Sequence, residues 1–172
     1  GLALETYDSW IDTMDQVCES DAWFHLSPLQ ILVNSENGQS DYMSRYGVTT
    51  RTLSALVSSE DEYVAESVNI VVATNTLSEA DMMKAWCYSW TIYVFHFSGF
   101  TNQISQILEG HHITRQTFYK NLFDWVRAKN SGLLHDEYMN FRAEIMETFA
   151  WQRASRLFMQ TFYTRRDEVD VM

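Results

Sequence analysis

The sequence predicts an α+β fold that is mostly α, and three observations carry that expectation. Apolar residues recur at helical spacing through most of the second half. Two short runs rich in β-formers, 24–33 and 67–74, lie in the first half. With 172 residues, 46% hydrophobic and 15% aromatic, the chain can bury a core of its own.

Thr6 is a good N-cap, and Tyr7, Trp10, Ile11, Met14 and Val17 follow at the three-and-four spacing of an amphipathic helix reaching about Glu19. The run 24–33 (FHLSPLQILV) reads as a strand, but Pro28 withholds a ladder donor, so an edge position or a bend is expected. A loop with Asn34, Ser35, Asn37 and Gly38 follows. A short helix over 41–46 stops at Gly47, which tolerates the left-handed exit. Residues 48–57 read as extended and poorly packed, and the acidic stretch 58–66 as a solvated loop. The run 67–74 (SVNIVVAT) is the second strand.

Ser78 with Asp81 approximates a capping box for a helix reaching about Phe97. Gly99 breaks it. Thr101 can cap a short helix carrying Ile104, Ile107 and Leu108, ended by Gly110, and Thr114 starts another with Phe118, Leu122, Trp125 and Val126 on one stripe. From Leu133 to about Tyr163 neither Pro nor Gly interrupts a helical period, so one long final helix is expected. Residues 165–172 read as a charged, frayed tail.

Charge and cysteine usage narrow the function classes. A net charge of -11 disfavours a nucleic-acid surface, which needs clustered Lys and Arg. Cys18 and Cys87 lie far apart with no Cys-x-x-Cys spacing and read as two buried thiols. The longest apolar run, 85–100, is short for a bilayer and carries Ser89, Thr91, His96 and Ser98, so a core helix rather than a membrane span is expected. No leader with a basic region and a cleavable apolar stretch is read at the start, and a cytoplasmic location is the expectation.

Candidate chemistry is sparse. Glu109 and His112 form one Glu-x-x-His, the spacing used in di-iron bundles, but such a centre needs a second copy and Gly110 interrupts this one, so no metal is expected there. His96 reads as a hydrogen-bonded core histidine. Trp86 and Trp90, one turn apart, read as core, with a stacking wall for a flat ligand as the sharper alternative. No Gly-rich phosphate loop, nucleophile elbow or catalytic trio is evident.

Three segments, in order, resemble one family. The opening GLALETYDSW, residues 1–10, resembles the Gly-Leu-Pro-Gly-Glu-Thr-x-Glu-Ser corner late in the barrel of radical SAM enzymes, particularly those with a cobalamin-binding domain. ILVNSENGQSDYMSRYGV, 31–48, is similar to their stretch in which a strand ending in Leu-Pro-Asn-Ser precedes a Glu-Tyr and a Tyr-Gly-Ile. IVVATNTLSEADMMKAW, 70–86, resembles their Val-Val-x-Thr-Asn-Thr-Met-Ser-x-Glu-Asp segment. The resemblance covers most of residues 1–125. Ala3 and Leu4 stand where the family corner has Pro and Gly, and the Cys-x-x-x-Cys-x-x-Cys that holds the 4Fe-4S cluster is absent from this sequence.

The resemblance implies the last strand and helix elements of a radical SAM (β/α) partial barrel over residues 1–57, followed by a C-terminal helical domain over 58–164. Gly1 would then end a barrel strand, and the chain would be the C-terminal part of a longer polypeptide whose upstream part supplies the partner strands. S-adenosylmethionine (AdoMet), a 4Fe-4S cluster and cobalamin are the implied cofactors, bound mainly outside this chain. The implied chemistry is methyl transfer or rearrangement through a 5′-deoxyadenosyl radical, on a small-molecule or peptide substrate that the sequence does not identify. Because barrel ligands lie at the C-terminal ends of strands, Gly1, Glu5 and Asn34 are the expected AdoMet or substrate contacts, with Trp86 and His96 as weaker candidates for lining a substrate cavity. The rival reading is a stand-alone acidic helical interaction module with no active site. A truncated relative kept as a partner subunit is the third.

Overall fold

The computed structural model describes residues 3–20, 28–32, 34–58 and 63–151, with side chains described outside 53–58, 63–66 and 147–151. It contains α1 (Tyr7–Glu19), β1 (Gln30–Ile31), α2 (Ser40–Tyr46), β2 (Thr49–Ser58), β3 (Tyr63–Ala73), α3 (Glu79–Ile92), α4 (Asn102–Glu109), α5 (Arg115–Ala128) and α6 (Leu133–Trp151). A mostly helical chain with one small sheet is therefore the observed class. Two compact units divide it: the first holds described residues within 3–4, 28–79 and 143–151, the second those within 5–20 and 80–142.

In the first unit the sheet order is β1-β3-β2, all antiparallel. β3 is the centre strand, and Ile70, Val71 and Val72 are buried in succession, as expected of a strand covered on both faces. Of the expected strand over 24–33, residues 24–27 and 33 lie outside the described residues. Gln30 and Ile31 pair with Ile70 and Asn69, which puts β1 at the sheet edge beside Pro28, where a missing donor costs nothing.

Residues 49–57 are extended as expected and belong to β2, which pairs with β3 from Thr49↔Ala73 to Ser58↔Tyr63. One expectation needs correction here: the acidic stretch 58–66 is not wholly a loop, since β2 reaches Ser58 and β3 already begins at Tyr63. Ladder hydrogen bonding along a hairpin overrides the low strand propensity of Glu66 and its neighbours.

In the second unit α1 starts as expected and with more detail. Thr6 Oγ1 accepts from Ser9 N at 3.1 Å while Thr6 N donates to Ser9 Oγ at 2.9 Å, a reciprocal cap. Ile11, Met14 and Cys18 are buried. α3 is buried at every position from Ala85 to Ile92, the signature of a central helix. Trp90 stacks on Phe141 with centroids 5.1 Å apart, and Tyr88 and Tyr138 both meet the Phe123 ring edge-on. Among the described residues no helix is long and apolar enough to cross a membrane.

The stripe expected on α5 is shifted: Val126 is buried as expected, but Tyr119 and Phe123 are the other buried residues, whereas Trp125 is 50% exposed. The long final helix is described to Trp151; its expected continuation to Tyr163 and the tail 165–172 lie outside the described residues.

Candidate functional site

A small open cleft lies in the first unit, lined by Ala3, Ile31, Asn37, Tyr42, Val71 and Thr74 among others. Its parts come from separated stretches brought together by the sheet. β1 supplies Ile31 and β3 supplies Val71, adjacent strands in one ladder. Tyr42 comes from α2, which Gly47 ends in a left-handed conformation at φ 57°. Val48 N then donates to Met43 O at 2.9 Å, which turns the chain from α2 into β2.

The turn after β3 closes onto the α2 exit. Asn75 N donates to Tyr46 O at 2.9 Å, and Asn75 Nδ2 to Arg45 O at 3.3 Å. Thr74 anchors the same turn: its Oγ1 accepts from Leu77 N at 3.2 Å, and its backbone N donates to Leu77 O at 2.9 Å. These bonds hold Thr74 beside the cleft.

The corner at Ala3 and Leu4 is the conformationally unusual wall. Leu4 has φ 69°, a left-handed backbone that an L-residue with a bulky side chain adopts at a cost of roughly 1–2 kcal/mol. Its side chain is 70% exposed, so burial of the leucine does not repay that cost. A glycine would take this conformation without strain.

The expected contact residues distribute as follows. Gly1 lies outside the described residues. Asn34 is exposed in the turn after β1, in the first unit, while Glu5 is half-buried just before α1 and belongs to the second. Trp86 and His96 are both buried in the second unit, the first on α3 and the second in the π turn that prolongs it, Tyr93–Phe97. Trp86, Trp90 and His96 thus take the core role that periodicity favours for them.

His96 belongs to a buried polar centre. Its Nδ1 lies 2.9 Å from Tyr119 Oη, which also lies 3.4 Å from both Thr101 Oγ1 and Ser105 Oγ. Tyr119, Ser105 and His96 are each no more than 2% exposed. Burial pushes the Tyr119 phenol up, opposed by its hydroxyl partners Ser105 and Thr101. A phenol so placed stays protonated near neutral pH. Sequence reasoning missed Tyr119, because nothing local links positions 23 residues apart.

The Glu109 and His112 pair forms no centre: Glu109 binds Arg115 at 3.1 Å, and His112 occupies a left-handed turn at φ 64°. Gly110 ends α4 as expected, as its C-cap with a right-handed φ of -60°, and the left-handed residue after it is His112. Among the described residues no group of three or more His, Cys, Asp or Glu side chains is placed to hold a metal ion. Cys18 and Cys87 are buried and in no disulfide, and burial pushes the Cys87 thiol up to about 12. Neither is a cluster ligand in waiting.

No family model matches the chain, and no curated protein sequence matches it.

Proposed function

We propose that the chain is the C-terminal part of a cobalamin-dependent radical SAM enzyme, in which the cleft of the first unit forms one wall of the AdoMet or substrate site. One observation carries this reading. The three segments that resemble the family are distant in sequence, yet each contributes to the same cleft: Ala3 from the first, Ile31, Asn37 and Tyr42 from the second, Val71 and Thr74 from the third. Leu4 adds support, since it adopts a glycine-like backbone at the position where the family corner has Gly.

The residues of this chain do not by themselves hold the implied cofactors. The cleft is open and far too small to enclose a small-molecule cofactor, and the two buried cysteines cannot bind a 4Fe-4S cluster. The upstream part of the polypeptide supplies the cluster and the rest of the pocket. What this chain contributes is shape and hydrogen-bonding edges, with Asn37, Tyr42 and Thr74 as polar groups beside an apolar floor.

The test is the intact mass of the native polypeptide, read with its upstream frame, followed by anaerobic incubation with AdoMet and reductant. A longer polypeptide carrying Cys-x-x-x-Cys-x-x-Cys that releases 5′-deoxyadenosine supports the reading. A native mass near 20.2 kDa sinks it. That second outcome would leave the acidic interaction module, which one feature favours: Phe100, Ile104 and Ile107 are each at least half exposed.

A further inference from the structure

α4 is built with its polarity reversed. Its buried position is Ser105, with 0% exposure, while Ile104 and Ile107 are 50% and 65% exposed. The helix packs on the π turn and on α5. Polar groups dominate its attachment. Tyr119 Oη reaches Ser105 and Thr101 at 3.4 Å, Thr101 donates to Phe95 O from both its backbone N and its hydroxyl, and Glu109 binds Arg115, which also donates to Cys18 O.

Such an attachment is weak for its length. A hydrogen bond exchanged with water contributes far less than its gross strength, and Ile104 and Ile107, each at least half exposed, gain only part of what full burial would give. The helix is also bracketed by two left-handed residues. Gly99 has φ 83° with open space around it, and His112 has φ 64°. Thr101, expected as the N-cap, makes no side-chain cap and spends its hydroxyl on Phe95 O; the first turn of α4 is held from within, by Ser105 Oγ donating to Asn102 O at 2.7 Å and Gln106 Nε2 to Asn102 Oδ1 at 3.3 Å.

We propose that α4 is a hinged lid over the buried His96–Tyr119 pair, undocking as a unit about Gly99 and His112 while α3 and α5 stay folded. Opening delivers an imidazole and a phenol, 2.9 Å apart, to solvent or to a solute. Imidazole exchanges protons near neutral pH, so the uncovered pair can bind or pass a proton that the closed state keeps from water. This inference stands on the geometry of the second unit and does not depend on the radical SAM reading.

Hydrogen exchange on the intact polypeptide tests it, with amides read by mass spectrometry and the histidine C2 hydrogens read residue by residue. The amides of α4 should exchange at least about a hundredfold faster than those of α3 and α5, because a lid opens without global unfolding. Tyr119→Phe should speed α4 amides about five- to fifteenfold while α3 amides hold, and His96 C2 exchange should rise in parallel. Ser105→Ala should act in the same direction with smaller size. Exposed His111 and His112 serve as internal references. If α4 exchanges in step with α3 and α5 in the wild type, the lid is wrong, and that comparison holds even if Tyr119→Phe does not fold. Rapid α4 exchange with no matching rise at His96 would mean fraying, and would overturn it equally.

Discussion

The Asn75 carboxamide lies where a Cβ on Gly47 would project, so the turn after β3 is seated directly on the exit of α2. A side chain at Gly47 meets that carboxamide and must also adopt φ 57°. Gly47→Ala should therefore destabilise the first unit by about 2 kcal/mol or more, from left-handed strain and the clash together. Asn75→Ala removes a hydrogen bond to Arg45 O and should cost about 1 kcal/mol. Urea titration of both single variants and the double variant checks this. Coupling predicts that Gly47→Ala is milder in the Asn75→Ala background, and strictly additive costs would contradict the seating.

Strain at Leu4 and His112, the left-handed non-glycine residues among those described, can be relieved. Leu4→Gly and His112→Gly should each stabilise by about 0.5–1 kcal/mol, the native strain removed exceeding the extra freedom of the unfolded chain. The denaturation midpoint should rise with the slope unchanged. A fall at either position would mean that the side chain makes contacts worth more than the strain.

Trp10 Nε1 donates to Ser89 Oγ at 2.7 Å, and Ser89 is 0% exposed. Ser89→Ala leaves the indole donor without this acceptor inside the helical unit and should cost about 1–3 kcal/mol. Ser89→Thr keeps the acceptor but adds a methyl to a filled interior, so it should also cost stability. Thermal melts followed by tryptophan fluorescence distinguish them from an exposed control such as Thr13→Ala, which should be near neutral.

Asp15 predicts a pH dependence. Burial, then the neighbouring Glu19 carboxylate, raises its pKa in the folded state, opposed by a hydrogen bond from the Gln116 backbone. A raised carboxyl means that the folded chain holds the proton at pH values where the unfolded chain has lost it. This contribution to stability is therefore present below the ordinary Asp range and is lost as pH rises through the folded pKa. Asp15→Asn should be more stable than wild type at pH 7, with the difference shrinking toward pH 3 to 4. A difference that grows on acidification would refute the assignment.

The thiols should be inert in the native state. Cys18 and Cys87 are each 1% exposed, and Cys87 is held protonated well above neutral pH. Neither should be alkylated by iodoacetamide at pH 8 until denaturant is added, and fast native labelling of either would show that the second unit opens more readily than its packing implies.

Much of the fold was legible because its signals are local. Thr6 announces α1, Gly47 ends α2, Thr114 caps α5 by accepting from Thr117 N, and Gly99 breaks the long apolar helix. Each involves residues within one turn of one another, so no tertiary knowledge is needed. The acidic start of β3 misled for the converse reason. Pairing of Tyr63 with Ser58 and Glu66 with Ala55 is set by the hairpin register, which composition does not encode.

By itself the sequence determined which segments are helical, that Thr6 and Thr114 cap α1 and α5, and that Cys18, Cys87, Trp86 and His96 belong inside. Only the tertiary structure decided between the apolar columns of α5, since the expected 118/122/125/126 and the observed 119/123/126 share one period and Val126. Tyr119 takes the interior because His96, Ser105 and Thr101 satisfy its hydroxyl there, while Trp125 remains half exposed. The same holds for the cleft and for the lid. Their residues meet through strand pairing and helix packing across tens of positions, and the energy that joins them is that of contacts no local pattern can express.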